Sequence, residues 1–156
     1  MSLREFAELG AAMSGVGVIA SVIYVSIQIS SNTRAVRASA FQQVVNSFAA
    51  ISFDIAKDKN IVGLYLRAGQ DFHALGEVER AQYSLMLLSF LRRSENVFFQ
   101  TEIRMLHSEH WSGIRESIKA IMTPSGAQAC WSEMKNRLNP EFRAFVDELI
   151  PHPPPR

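Results

Sequence analysis

Between Glu8 and Gln28 lies the run LGAAMSGVGVIASVIYVSI, nineteen residues without a charge. No other feature limits the chain so strongly. As a helix the run covers about 28 Å, close to the roughly 30 Å thickness of a bilayer's hydrocarbon core. Eight of its residues are Val, Ile or Leu, diluted by Gly and Ser. Tyr24 falls near one end, where an amphipathic ring suits a membrane interface. The run therefore predicts a single transmembrane helix over 9–28, with 1–8 as a short flank.

Two other readings fit less well. A cleaved signal needs a basic leader and a small-residue site soon after the apolar core. Here Glu5 and Glu8 offset Arg4, and Ala38-Ser39-Ala40 comes late, behind Arg34 and Arg37. A core helix of a soluble bundle would need cover on every side, and each interior Gly costs roughly 1 kcal/mol relative to Ala.

The small residues of the run are ordered. Gly10, Ser14, Gly17 and Ser21 recur at helical spacing, and Tyr24 and Gln28 continue the stripe. Small residues let helix backbones approach closely in lipid, and Ser or Gln can hydrogen-bond across the contact. The stripe predicts a helix–helix interface with a second copy or with another membrane protein, the rest of the span facing lipid. A homo-oligomeric pore lined by Ser14, Ser21 and Gln28 is a third arrangement of the same face. Arg34 and Arg37 follow the span, whereas only Arg4 precedes it. The positive-inside rule then places the C-terminal domain in the cytoplasm.

Residues 29–150 read as a helical domain. Phe41, Val44, Val45, Phe48, Ile51 and Ile55 keep a three-and-four spacing. This helix either continues the span or starts anew at an Asn32 or Thr33 cap. KDKN at 57–60 breaks the pattern. A short helix bearing Ile61, Leu64 and Tyr65 follows, with Gly69 as its C-cap, then a loop, QDFHALG. A long helix starts at Gly76–Glu77 and runs to about Leu106. Its first half, AQYSLMLLSFL, is apolar almost all round, which predicts a central position. Ser108 caps a helix bearing Trp111, Ile114, Ile118 and Ile121. Thr123 and Asn139, each followed by proline, predict two more helix starts. The first carries Ala127, Cys130, Trp131, Met134 and Leu138; the second carries Phe142, Phe145, Val146 and Leu149. PHPPPR, residues 151–156, cannot continue a helix. No strand alternation occurs. The expected fold is all-α: one transmembrane helix, then a compact bundle of about five or six helices.

Chemistry is sparse. Lys and Arg number 16 against 15 Asp and Glu, net +1, which is no nucleic-acid footprint. A single cysteine, Cys130, excludes an internal disulfide and lies on an apolar face. No nucleophile motif, phosphate-binding glycine loop or dinucleotide fingerprint occurs, so no cofactor is expected and a non-enzymatic role is the leading one. RRSEN, Arg92 to Asn96, sweeps every face of the long helix, with Glu95 one turn after Arg92 and Gln100 one turn after Asn96. Arg92, Glu95, Asn96 and Gln100 form either a buried ion pair that fixes packing or a polar pocket for a small ligand, which would make the protein a membrane-tethered sensor or enzyme. HSEH, His107 to His110, lacks the spacing of a helical zinc motif, and no metal is expected there.

VIASVIYVSIQISSNTRAVRASAFQ, ALGEVERAQYSLMLLSFLRRSENVFFQ and EHWSGI together resemble a broad group of small, uncharacterised bacterial proteins. These share an N-terminal hydrophobic helix and an α-helical remainder. The resemblance covers approximately residues 15–150 and implies a membrane-anchored bacterial protein; the expected location is the bacterial inner membrane. It implies no activity, cofactor or catalytic residue.

Overall fold

The computed structural model describes residues 3–103 and 108–150, with the side chains of 3–12 and 108–110 excepted. Helix α1 runs from Leu3 to Ala56 without interruption. No Gly or Pro occurs between Gly17 and Gly63 to break it. Thr33 does not cap a new helix, because its hydroxyl donates back to the Ile29 carbonyl at 2.8 Å. Of the two arrangements open in the sequence, the continuous helix is the one formed. The chain divides between Ser39 and Ala40 into two units.

The first unit is helical over its described residues, and none of residues 13–39 is buried. The second unit contains the end of α1 and five further helices: α2 (Lys59–Gln70), α3 (Glu77–Glu102), α4 (Ser108–Met122), α5 (Ser125–Met134) and α6 (Pro140–Leu149). A single 3-10 turn, Lys135–Arg137, lies between α5 and α6. No strand occurs among the described residues. The fold is all-α, a long apolar N-terminal helix followed by a helical bundle.

Local chemistry sets the boundaries. Asp58 starts α2 by accepting the Asn60 N–H at 2.8 Å, as an N-cap carboxylate should. Gly69 does not end that helix. It lies within the last turn, where an added Cβ would rest 3.5 Å from Pro124 Cβ. Asp71 ends α2 instead: its backbone is extended, and its carboxylate accepts the N–H groups of His73 and Ala74 at 3.0 and 3.2 Å. The loop that follows is not wholly polar in destination, since Phe72 and Leu75 turn back into the core.

Helix α3 begins at Gly76–Glu77 as its sequence suggests, with Glu77 and Glu79 in the first turn, where acidic groups complement the helix dipole. It ends at Glu102 with Ile103 as its C-cap, short of the expected Leu106; residues 104–107 lie outside those described. The helix packs against α2, α4 and α5 through Tyr83, Leu87, Leu91 and Ser94, a single helical stripe. It is not covered all round, however: Leu85 is 60% exposed, so one face of the apolar first half looks outward.

The α4–α5 corner also differs from expectation. Pro124 occupies the N-cap of α5 rather than its first turn. Thr123 serves the preceding helix, donating its hydroxyl to the Lys119 carbonyl at 2.8 Å. The exposed carbonyls at the end of α4 are met by α5: the Gln128 amide donates to Met122 O and Thr123 O, both at 3.1 Å. Asn139-Pro140 does follow its pattern, with the Asn139 side chain accepting from Glu141 N and Pro140 opening α6. A shared core takes Leu64 and Ala68 from α2, Leu87 and Leu91 from α3, Ile118 and Met122 from α4, Cys130 and Trp131 from α5, and Phe142 and Val146 from α6. Trp131 satisfies its indole N–H on Asp147 at 2.7 Å, and Lys135 Nζ lies 3.2 Å from the same carboxylate. The C-terminal part of α1 joins the bundle by packing Val44 with Val97 and Phe48 edge-on to Phe90, with ring centroids 5.4 Å apart.

Helices α2 and α5 meet most closely at Gly126. A Cβ there would lie 1.7 Å from the Ala68 carbonyl oxygen, a backbone atom that cannot rotate away. Gly126→Ala therefore should lower the thermal midpoint by an amount corresponding to about 3 kcal/mol or more. Gly113→Ala, where an added Cβ meets nothing within 4 Å, should leave the midpoint unchanged or raise it by up to about 1 kcal/mol equivalent. Tryptophan fluorescence during thermal unfolding of the full chain in detergent reads both; equal behaviour of the two variants would refute the close-contact account.

Candidate functional site

The sequence nominates two sets of residues, one in each unit. In the first unit, the apolar side chains of α1 have no cover: Met13, Val16, Ile19, Val22, Ile23 and Ile27 are all exposed. The apolar window of this helix is 0% buried. Several of its polar groups, by contrast, bond within the helix. Ser21 donates to Gly17 O and Ser26 to Val22 O, each at 2.8 Å. The Gln28 amide donates to the Tyr24 hydroxyl at 2.9 Å. Hydroxyls bonded to the carbonyl four residues back carry no bare donor, which is what a nonpolar surrounding requires. Along the small-residue stripe, an added Cβ at Gly17 would meet nothing within 4 Å. Gly10 belongs to the same helix, but its surroundings lie outside the described residues.

Length and composition together make α1 a helix able to cross a membrane. The helix carries no charge from Leu9 to Thr33, and Arg34 and Arg37 are the only charged residues between there and Asp54.

In the second unit, Arg92, Glu95, Asn96 and Gln100 come together along one open recess, with Phe99, Ile103 and Asn139 completing its wall. Glu95 is 8% exposed. One carboxylate oxygen accepts from Arg92 at 2.9 Å; the other accepts from the backbone N–H of Asn139 at 2.6 Å. The second guanidinium nitrogen of Arg92 donates to the carbonyl of Arg137. The two side chains thus tie the middle of α3 to the turn before α6. Glu95 also sits at the N-terminus of α6, where a negative charge is favoured by the helix dipole. Asn96 is exposed and accepts from the Gln100 amide at 2.6 Å. The remaining oxygen of Gln100 is buried without a hydrogen-bond partner among the described residues. Sequence spacing exposes the Arg92–Glu95 pair. The partners Asn139 N and Arg137 O carry no sequence signal, because any residue there supplies the same backbone groups.

Cys130 is buried on the apolar face where its spacing places it. Burial pushes its thiol up, partly offset by the Ser84 hydroxyl 3.3 Å away. A thiol held protonated is a poor nucleophile. Burial likewise pushes up the phenols of Tyr65 and Tyr83, and for Tyr83 the neighbouring Tyr65 and Cys130 add to the effect. His107 lies outside the described residues, as do the side chains of Ser108, Glu109 and His110. No protein-family model, curated protein or solved structure matches the chain.

Two consequences separate the roles of the Glu95 oxygens. Glu95→Ala leaves Arg92 Nη1 and the Asn139 N–H without their acceptor and should destabilise the fold by about 1 to 3 kcal/mol. Glu95→Gln retains one carbonyl oxygen for Asn139 and should cost roughly half as much. Unfolding midpoints followed through Trp131 fluorescence distinguish the two; wild-type stability in Glu95→Ala would show that the clamp carries no energy.

Proposed function

We propose that this chain is a single-pass membrane protein that works by binding other proteins, with α1 both anchor and interface. The observation that carries the reading is the uncovered apolar surface of α1 from Met13 onward. At about 25 cal/mol per Å², leaving so many Val and Ile side chains in water is costly, and lipid removes that cost. The internally bonded hydroxyls of Ser21 and Ser26 support the same surroundings.

The stripe Gly10, Ser14, Gly17, Ser21, Tyr24 and Gln28 gives the contact face, toward a second copy of α1 or a helix of another membrane protein. Close backbone approach at Gly17 is sterically open. Arg34 and Arg37 against Arg4 favour a cytoplasmic bundle on a bacterial inner membrane. A pore is less well supported. The Ser21 hydroxyl and one Gln28 N–H are engaged by Gly17 O and Tyr24 and would have to exchange partners to line a wet axis. A ligand site at Arg92–Gln100 is also less well supported, because the charged atoms there are engaged with one another and with the α6 turn.

Replacing Gly10, Ser14, Gly17 and Ser21 together by Leu should leave the protein in the membrane fraction and abolish its assembly. The mass of the complex purified in mild detergent, by light scattering with native mass spectrometry, reads this directly. Wild-type mass and the same co-purifying proteins in the variant would remove the stripe from the account.

A further inference from the structure

The bundle contains a cavity of about 270 Å³ that no sequence motif announces. Its wall draws Ile55 from α1, Tyr65 from α2, Tyr83, Met86 and Phe90 from α3, and Ile121 from α4. Every one of these residues lies in the second unit. An apolar cavity of roughly 150 Å³ is enough to take up benzene, so the space suits a molecule of one or two rings.

The chemistry of the wall selects among such molecules. No charged side chain lines the cavity, so an ionised ligand would shed its hydration and find no counter-charge. Besides the exposed Ser52, two phenols are present. Their rings lie 6.1 Å apart, and neither hydroxyl makes a hydrogen bond among the described residues. Tyr83 is otherwise a core residue, 2% exposed. Among the described residues only Gln100 Oε1 is a fully sealed, unpartnered side-chain polar atom. The Tyr83 oxygen is therefore not fully sealed, and Tyr83 is one of the residues that line the cavity. Burial pushes both phenols up, and a phenol without a partner in a largely apolar wall is a donor in want of an acceptor.

We propose that this cavity binds a small, uncharged, ring-containing carbonyl compound, its rings against Ile55, Met86 and Phe90 and its carbonyl oxygen accepting from Tyr83. The site is independent of the membrane reading, since none of its wall comes from residues before Ala40.

Benzophenone tests it, being an uncharged aryl ketone that inserts into nearby C–H bonds on irradiation. The full chain in phosphatidylcholine nanodiscs is irradiated with benzophenone, and the adducts are mapped by peptide mass spectrometry. Saturable labelling is expected at Met86 and its neighbours. On the unaltered protein, methyl benzoate should suppress that labelling better than the hydrocarbon ethylbenzene, and benzoate anion should barely compete. Tyr83→Phe should weaken binding about three- to tenfold, the range for one hydrogen bond, and Ile55→Trp should fill the cavity and abolish labelling. Adducts confined to residues 13–29 would show partition into lipid only. Equal competition by methyl benzoate and ethylbenzene would show that the phenols select nothing. Labelling at Met86 that does not saturate, or that disappears when the protein is kept dilute and monomeric, would mean a surface groove or a contact between copies. Each of these three results overturns the proposal.

Discussion

Water cannot solvate the side chains of α1 between Met13 and Ile29 without a large free-energy cost, and none of these residues is buried. This constraint governs the rest of the reading. A helix meets its own backbone hydrogen bonds, so it tolerates hydrocarbon provided its side chains add no bare polar group. Ser21 and Ser26 comply by bonding back to carbonyls one turn earlier. Surroundings of lipid, with a helix of similar chemistry on the small-residue side, satisfy both demands at once. The bundle obeys the opposite rule. Its apolar groups are buried against one another, and its charged groups are at the surface or, like Glu95, held by defined partners.

Much of this architecture is legible in the sequence, because periodicity and capping are local. The buried positions of α5 and α6 follow from spacing alone. Asp58 and Asn139 act at helix starts as short polar residues do. What the sequence hides is tertiary in origin. Gly69 has the look of a helix stop, yet the stop is Asp71, whose carboxylate bonds forward into the loop. Thr123 resembles a cap for α5, but its hydroxyl finds a nearer acceptor in α4. The run AQYSLMLLSFL is apolar enough to be buried all round, and whether a neighbour covers Leu85 cannot be known before the neighbours are placed.

The candidate sites divide in the same way. The stripe from Gly10 to Gln28 is a local pattern and needs no structure to be seen. The Arg92–Glu95 pair is visible at its three-residue spacing, whereas its anchor points on the α6 turn are backbone atoms of residues more than forty positions away. The cavity between α1, α2, α3 and α4 is invisible in one dimension. Tyr65 and Tyr83 read as ordinary core aromatics until the fold brings their rings together around an unfilled space.

Lipid contact around α1 is open to a collision measurement. Single cysteines placed in turn at positions 13 to 29 of a Cys130→Ser chain, each carrying a nitroxide in nanodiscs, report collisions with oxygen and with a water-soluble nickel chelate. High oxygen and low chelate accessibility throughout the run, with both reduced along the Ser14, Gly17 and Ser21 face, is the result this account predicts. Free access of the chelate to the middle of the run would contradict it.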